Sequence, residues 1–122
     1  MRLMAAVFLA LTAMVLAFQV ALIAGVPWGH LTQGGQYAGA LPLAGRVFAG
    51  VSIGVLALMG WIVAARAGLA APEFPRWTIW VVVACLVVSV GLHLLTPSAA
   101  ERALWLPVVG VKLACALRVA RG

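Results

Sequence analysis

The sequence predicts an all-α, polytopic membrane protein, folded as a bundle of four transmembrane helices. Of its 122 residues, 66% are hydrophobic and only 8% are charged. A water-soluble domain has about 25% charged residues, so this chain has too few polar groups to cover a globule in water. Its apolar residues also fall into four long segments, each long enough to cross a hydrocarbon core of about 30 Å as a helix.

The four apolar segments are residues 3–26, 47–65, 77–96 and 103–120, within a single domain of residues 1–122. In lipid, every backbone N–H and C=O needs a protein partner, so each segment is predicted to be helical. The third segment is rich in valine, but it lacks the in-out alternation of a barrel strand. The first is longer than the apolar core of a signal peptide and is expected to remain as an anchor.

Arginines predict the orientation of the segments. Both termini and the middle connection, residues 66–76, fall on one side with five arginines: Arg2, Arg66, Arg76, Arg118 and Arg121. The other side has only Arg46 and Arg102. Because positive residues are retained in the cytoplasm, both termini are predicted to be cytoplasmic, with loop 27–46 and turn 96–102 facing outward. The net charge of +6 comes from singly scattered basic residues, which favours the lipid bilayer over nucleic acid as the partner.

Small residues predict how the helices meet, because packing between membrane helices depends on close approach. The second segment has Gly50 and Gly54 four residues apart, and the first has a row of alanines at helical spacing: Ala6, Ala10, Ala13, Ala17, Ala21 and Ala24. Packing within the bundle is the first interpretation. A homo-oligomer formed through Gly50 and Gly54, or assembly into a larger membrane complex, is the second.

Tryptophans are expected to mark the membrane boundary. Indole rings favour the lipid–water interface. Four of them lie near the ends of the apolar segments: Trp28, Trp77, Trp80 and Trp105. Trp61 lies about one turn further from the end of its segment and fits the same belt loosely.

Lys112 lies inside the fourth segment, and an ionisable group within the membrane is a candidate functional residue. On an insertion scale it costs about 2.5 to 3.5 kcal/mol, which makes the fourth helix dependent on its neighbours. The only acids, Glu73 and Glu101, lie in predicted loops. The first interpretation is that the flexible lysine stem carries its amine toward the cytoplasmic surface beside Arg118. The alternative is a neutral lysine that lines a small cavity.

His30 and His93 are both predicted on the outward side, where two histidines could share a metal or flank a haem. A metal site ordinarily uses three or four ligands, and neither histidine has an acid or cysteine at ligand spacing. Each is therefore interpreted as a boundary residue bonded to a carbonyl or to water, and no metal, cofactor or catalytic residue is predicted. Cys85 and Cys115 form no C-x-x-C motif and are expected to be buried, apolar residues.

The outward segments supply the best candidate site. The uncharged polar loop "PWGHLTQGGQYAGALP", residues 27–42, has flexible glycines and can fold across the outer mouth of the bundle. Ser98 is expected to cap the fourth helix with Glu101 completing a capping box, and Arg46 is expected to pair with Glu101. The predicted ligand-binding vestibule has these side chains: His30, Gln33, Tyr37, Arg46, His93, Glu101 and Arg102.

This loop and the later stretch "TPSAAERALWLPV", residues 96–108, resemble a group of small uncharacterised bacterial membrane proteins. The shared motifs are a PWG…GG…G…LP loop and an ER…W.P start to the last helix. The resemblance implies a four-helix protein of the bacterial inner (plasma) membrane, and it implies no activity. Better-known families are less similar: a small multidrug transporter would have a glutamate in its first helix, and a quinone-linked disulfide-forming protein would have exposed cysteine pairs.

Two functions from different classes are consistent with these observations. The first is a non-enzymatic accessory or structural protein of the membrane. The alternative is a small-solute or ion transporter or channel, or a subunit of one, with Lys112 and the vestibule on its path.

Overall fold

The computed structural model describes residues 1–37 and 39–122, and this part of the chain is helical with no strand. Its four long helices are α1 (Arg2–Ile23), α2 (Leu43–Arg66), α3 (Trp77–Leu95) and α4 (Ala99–Arg121). All four are long and apolar enough to cross a membrane. The predicted fold class is therefore confirmed, and the chain is a multi-pass membrane protein.

Three helix limits differ from the sequence prediction by three or four residues: the end of α1 and the starts of α2 and α4. Helix α2 starts at Leu43, directly after Pro42, whose backbone is extended. Helix α1 stops at Ile23 because Gly25 turns the chain with a φ of +102°, which a residue with a side chain rarely adopts. Helix α4 starts at Ala99, several residues earlier than predicted, because the Ser98 hydroxyl accepts a hydrogen bond from the backbone N–H of Glu101 at 3.2 Å. Ser98 is thus the N-cap, as predicted. The reciprocal hydrogen bond of the capping box does not form, because the Ser98 N–H donates to the Thr96 hydroxyl at 3.3 Å and not to the Glu101 side chain.

The connections lie on two sides of the bundle. The terminal side holds both chain ends and the α2–α3 connection, residues 67–76. There, a methyl group on Gly122 would overlap the Met1 side chain. The loop side holds residues 24–42 and the α3–α4 turn, and the Ser98 hydroxyl donates to the carbonyl oxygen of His30 at 2.8 Å. The two connections predicted to share one surface are therefore in direct contact.

Two hydrophobic cores hold the bundle together. The terminal-side core contains residues of all four helices, among them Phe8, Val63, Val82 and Val119. The loop-side core contains residues of α1, α2, α4 and the loop: Phe18, Leu22, Leu41, Ala49 and Trp105. Of the described residues, none from α3 belongs to this second core. Helix α3 therefore packs fully only in its terminal-side half, and its other half stands away from α2.

The predicted small-residue contacts are mostly wrong. Five of the six alanines in the α1 row are exposed, and a methyl group on Gly54 would meet nothing within 4 Å. Helix α1 instead approaches α2 at Gly60, where an added methyl group would lie 3.4 Å from Leu9 and 3.6 Å from Thr12. Because α1 and α2 meet along that line, Gly50 and Gly54 are left on the outer surface of the bundle.

Four of the five tryptophans are exposed, as expected for side chains at a lipid boundary. Trp105 is the exception, since it is only 8% exposed and belongs to the loop-side core. Its indole N–H donates to the carbonyl oxygen of Leu31 at 2.8 Å. The boundary position predicted for Trp105 is therefore wrong, and the ring instead fastens the loop to α4.

Candidate solute-binding cavity

A cavity of about 710 Å³ lies where α3 stands away from α2. Pockets of about 300 to 1,000 Å³ hold small organic ligands in other proteins. Helices α2 and α3 form its side walls, α4 forms its back, and the loop covers its outer end. The walls are largely apolar, with side chains from three helices: Phe48, Val51, Val55, Leu86, Leu92 and Val109.

Polar side chains gather at the loop end of this cavity. The loop contributes Thr32 and Gln33, and the end of α3 contributes Ser89, His93 and Thr96. Gln33 is fixed there because its side-chain amide donates to the carbonyl oxygen of Gly45 at 2.9 Å. The loop is thus tied to α2 as well as to α4, and Thr32, Gln33 and Gly34 line the outer end of the cavity.

Glu101 is the acidic group of the cavity and is only 7% exposed. One carboxylate oxygen accepts a hydrogen bond from the Thr96 hydroxyl at 3.2 Å. The predicted pair with Arg46 is absent from the described residues, because the Arg46 Nε donates to the carbonyl oxygen of Leu41 at 2.9 Å. Arg102 does not supply a positive partner for the Glu101 carboxylate either, since its guanidinium donates to the carbonyl oxygen of Thr96.

His93 lines the same end, and its tautomer follows from its contact. The ring Nδ1 lies 2.7 Å from the carbonyl oxygen of Ser89. A carbonyl oxygen can only accept, so Nδ1 carries the hydrogen and a neutral ring keeps Nε2 as a free acceptor. His93 can therefore accept a hydrogen bond from a molecule in the cavity.

Lys112 lies at the deep end of the cavity and is 2% exposed. Its Nζ lies 4.8 Å from the centroid of the Phe8 ring, a cation–π contact. Glu101 is on the same face of α4 but about 16 Å away along the helix axis, which is too far for an ion pair. Glu73 is exposed in the α2–α3 connection. The snorkelling interpretation is therefore wrong, and among the described residues this amine has no counter-ion.

The structure brings together half of the predicted site residues. Gln33, His93, Glu101 and Lys112 line one cavity. The other four lie outside it: His30, Tyr37, Arg46 and Arg102. The described residues contain no group of three or more potential metal ligands. Since His30 does not line the cavity, the two histidines do not form a shared site.

Sequence reasoning missed several polar cavity residues and one exposed thiol. Gln19 of α1 lines the cavity, and its buried Oε1 has no hydrogen-bond partner among the described residues. Cys85 is exposed and lines the cavity, whereas the sequence suggested burial; Cys115 is buried as expected. A signal for the cavity face was present in α4, because Glu101, Trp105 and Lys112 follow one another at helical spacing on one side of the helix.

Replacing Gly29 with alanine is expected to loosen the loop above the cavity. Its N–H donates to the carbonyl oxygen of Gly39 at 2.9 Å, and a methyl group on Gly29 would overlap the carbonyl oxygens of Tyr37 and Gly39. Backbone atoms cannot rotate away, so we expect a loss of about 1 to 3 kcal/mol in unfolding free energy. Unfolding by SDS in mixed micelles would measure it.

Gly39→Ala is the matched control for this variant, because a methyl group there would meet nothing within 4 Å. It should change the unfolding free energy by less than about 0.5 kcal/mol. Equal effects of the two variants would contradict the close approach at Gly29.

No protein-family model matches the chain, and neither a curated protein nor a solved structure is similar to it. The resemblance that rests on the loop motifs stays a prediction. The functional interpretation depends on the side chains that line the cavity and on their chemistry.

Proposed function

We propose that this protein binds a small solute in the cavity and transfers it between the lipid phase and the loop side of the membrane, as a transporter or the solute-binding subunit of one. The observation that carries the proposal is Lys112, which is buried at the deep end of a cavity of about 710 Å³ and has no counter-ion among the described residues. A lysine at this depth costs about 2.5 to 3.5 kcal/mol on insertion. Packing alone gives no reason to keep such a residue.

A solute is favoured over a conducted ion by the shape and lining of the cavity. Met59 and Leu86 line its deep end and belong to the terminal-side core. That core, formed by four helices, closes the way from Lys112 to the terminal side. Ion pathways need water or rings of oxygen ligands, whereas these walls are mostly aliphatic. An apolar or amphiphilic solute matches such walls better.

The native cysteine Cys85 gives a direct test of solute binding. It is exposed and lines the cavity, while Cys115 is buried. In a Cys115→Ala background reconstituted in phosphatidylcholine nanodiscs, we expect dodecanol, an uncharged probe, to slow the reaction of Cys85 with N-ethylmaleimide. The expected slowing follows from occupation of the cavity beside the thiol.

A second variant separates this effect from partitioning of the probe into lipid. In Cys85→Ala with Val88→Cys, the thiol lies on the same helix at an exposed position outside the cavity lining. Its reaction rate should not change with the probe. Equal slowing at both positions would overturn the proposed function. So would the absence of slowing at Cys85 by dodecanol and by its charged analogues dodecanoate and dodecylamine.

We also propose that the protein lies in the inner membrane of a bacterium with both termini in the cytoplasm. Five of its seven arginines are on the terminal side, which supports this orientation. A cysteine at exposed Gln36 of the loop should react with an impermeant maleimide added outside intact cells, and one at exposed Glu73 should not. The opposite labelling pattern would reverse the orientation.

The accessory or structural role is a second candidate, favoured by one observation. Gly54 faces outward with nothing within 4 Å of an added methyl group, so α2 offers a face on which another helix could pack closely. A Gly54→Cys variant that forms a disulfide-linked dimer or captures a partner in membranes would support this role. A monomer under native mass spectrometry would count against it.

A further inference from the structure

We propose that the solute is an amphiphilic organic anion with one carboxylate-like group on an apolar body. It enters sideways from the lipid through the gap between α2 and α3 and binds with its charged group at Lys112. This inference rests on the proposed solute-binding function and adds the class of the solute and its route.

The charge of the solute follows from the surroundings of Lys112. The side chain is 2% exposed and lines the cavity. Its amine makes a cation–π contact with Phe8, whose ring centroid lies 4.8 Å from Nζ. A buried ammonium is stable only when a counter-ion and hydrogen-bond acceptors compensate for the lost water. The described residues supply neither to this amine. An anionic oxygen placed in the cavity would supply both.

The apolar body follows from the depth of Lys112 and from the walls. The backbone of Lys112 is about 20 Å below the loop-side start of α4 at Ala99, measured along the helix. A small inorganic anion would lose its hydration between aliphatic walls with only one charged partner, which is unfavourable. The head group of a two-chain phospholipid stays at the boundary and would not reach this depth. A single-chain or aromatic acid carries its charge on a body that these walls can solvate.

Glu101 determines which way such a molecule lies. It is buried at the loop end of the same cavity with one hydrogen bond from Thr96. A second carboxylate beside it would be repelled, and Lys112 at the other end attracts it. The anionic group therefore lies deep at Lys112, away from Glu101, and the apolar body lies along the aliphatic walls toward the gap between α2 and α3.

The route follows from the open side of the cavity. Loop residues line the outer end, and the terminal-side core borders the inner end. The remaining side lies between α2 and α3, where cavity-lining side chains are also exposed on the outer surface: Val51 is 62% exposed and Leu95 is 82% exposed. In a membrane this surface faces lipid, so an amphiphile dissolved in the bilayer reaches the cavity without crossing water.

Three compounds with the same dodecyl chain, dodecanoate, dodecanol and dodecylamine, test the charge of the solute. In the nanodisc assay with Cys85, dodecanoate is expected to protect the thiol at concentrations at least tenfold lower than dodecanol or dodecylamine. Lys112→Met should remove this preference. The Val88→Cys variant again corrects for partitioning and for charge accumulated in the bilayer.

The outcomes distinguish this inference from the proposed function. Protection by dodecanol with no preference for dodecanoate, or a preference that persists in Lys112→Met, would overturn the anionic solute and keep the solute-binding function. No protection by any of the three compounds would overturn both. A folded Lys112→Met variant is expected, and its unfolding by SDS in mixed micelles checks this.

A bulky residue at the gap tests the route. Val51→Trp places an indole where α2 lines the opening, and it should slow the onset of protection by dodecanoate at least several-fold. Val47→Trp is the matched control, because Val47 is 58% exposed on the same helix and does not line the cavity. Equal onset rates in the two variants would overturn the sideways route.

Discussion

Replacing Lys112 with methionine is expected to make the protein more stable, by about 1.5 to 3 kcal/mol, even though it removes the preference for an anionic solute. Methionine has a side chain of similar length and no charge, so the insertion cost of lysine disappears. The lost contact with the Phe8 ring offsets about 0.5 to 1 kcal/mol of this gain. Unfolding by SDS in mixed micelles of a neutral detergent would give the difference.

Arg118→Met is the control for this prediction, because Arg118 is exposed in the last turn of the same helix. Its effect on stability should be within about 0.5 kcal/mol of zero. A large loss of stability in Lys112→Met would mean that the amine supports the fold through a bound counter-ion, and the assignment of an unpaired lysine would be wrong.

Replacing Trp105 with alanine is expected to destabilise the loop-side half of the bundle by about 3 kcal/mol. This is the low end of the range for buried aromatic residues, because apolar surface that becomes exposed here meets lipid and not water. The indole N–H donates to Leu31 at 2.8 Å, and the ring meets Phe18 edge-on with centroids 4.7 Å apart. Its loss should free the loop, so protease cleavage within residues 27–42 should accelerate together with the loss of stability.

Two further variants resolve the contributions to this effect. Trp105→Phe keeps an aromatic ring in the loop-side core but loses the hydrogen bond and part of the indole, so a cost of about 1 to 2 kcal/mol, smaller than that of Trp105→Ala, is expected. Trp80→Ala removes an indole that is 49% exposed and should leave the protease sensitivity of the loop unchanged. Faster loop cleavage in Trp80→Ala would show that the readout does not report the Trp105 anchor.

These two predictions assign different roles to two parts of α4: its loop-side end stabilises the fold, and its middle binds the solute. Trp105 and the Ser98 cap hold the loop over the outer end of the cavity. Lys112, two turns beyond Trp105, makes one favourable contact, with the Phe8 ring, which is worth less than the cost of inserting the lysine. Residues that function needs are commonly those whose replacement stabilises a protein. A gain of stability with a loss of anion preference is the combination that identifies Lys112 as a binding residue.

The four helices could be predicted because length and hydrophobicity alone decide whether a segment can cross a bilayer. The contacts between them could not, because lipid is as apolar as leucine, and buried and exposed faces therefore share one composition. The alanine row of α1 is exposed while Phe8 on the same helix is fully buried. For the same reason, no pattern in α3 indicated that its loop-side half would stand away from α2.

The charged and polar residues of the sequence predicted half of the candidate site. Glu101 and Lys112 are costly in lipid, so both are expected to line a cavity, and both do; only Glu101 lies among other polar side chains. Arg46 and Arg102 were placed in the site because of their charge, yet both bond to backbone carbonyl oxygens nearby. Which carbonyl a long side chain reaches depends on the local turn of the chain, which residue type does not specify.

The central claim is that a carboxylate in the cavity meets Lys112, and one magnetic-resonance distance tests it directly. Lys112 is the single lysine of the chain, so lysine labelled with ¹⁵N at Nζ marks this one amine. With dodecanoate labelled by ¹³C at its carboxyl carbon, a rotational-echo experiment on the protein in lipid should show dipolar dephasing that corresponds to an ion pair, about 4 Å or less. Saturating dodecanoate that protects Cys85 and yet produces no dephasing at Nζ would contradict the account.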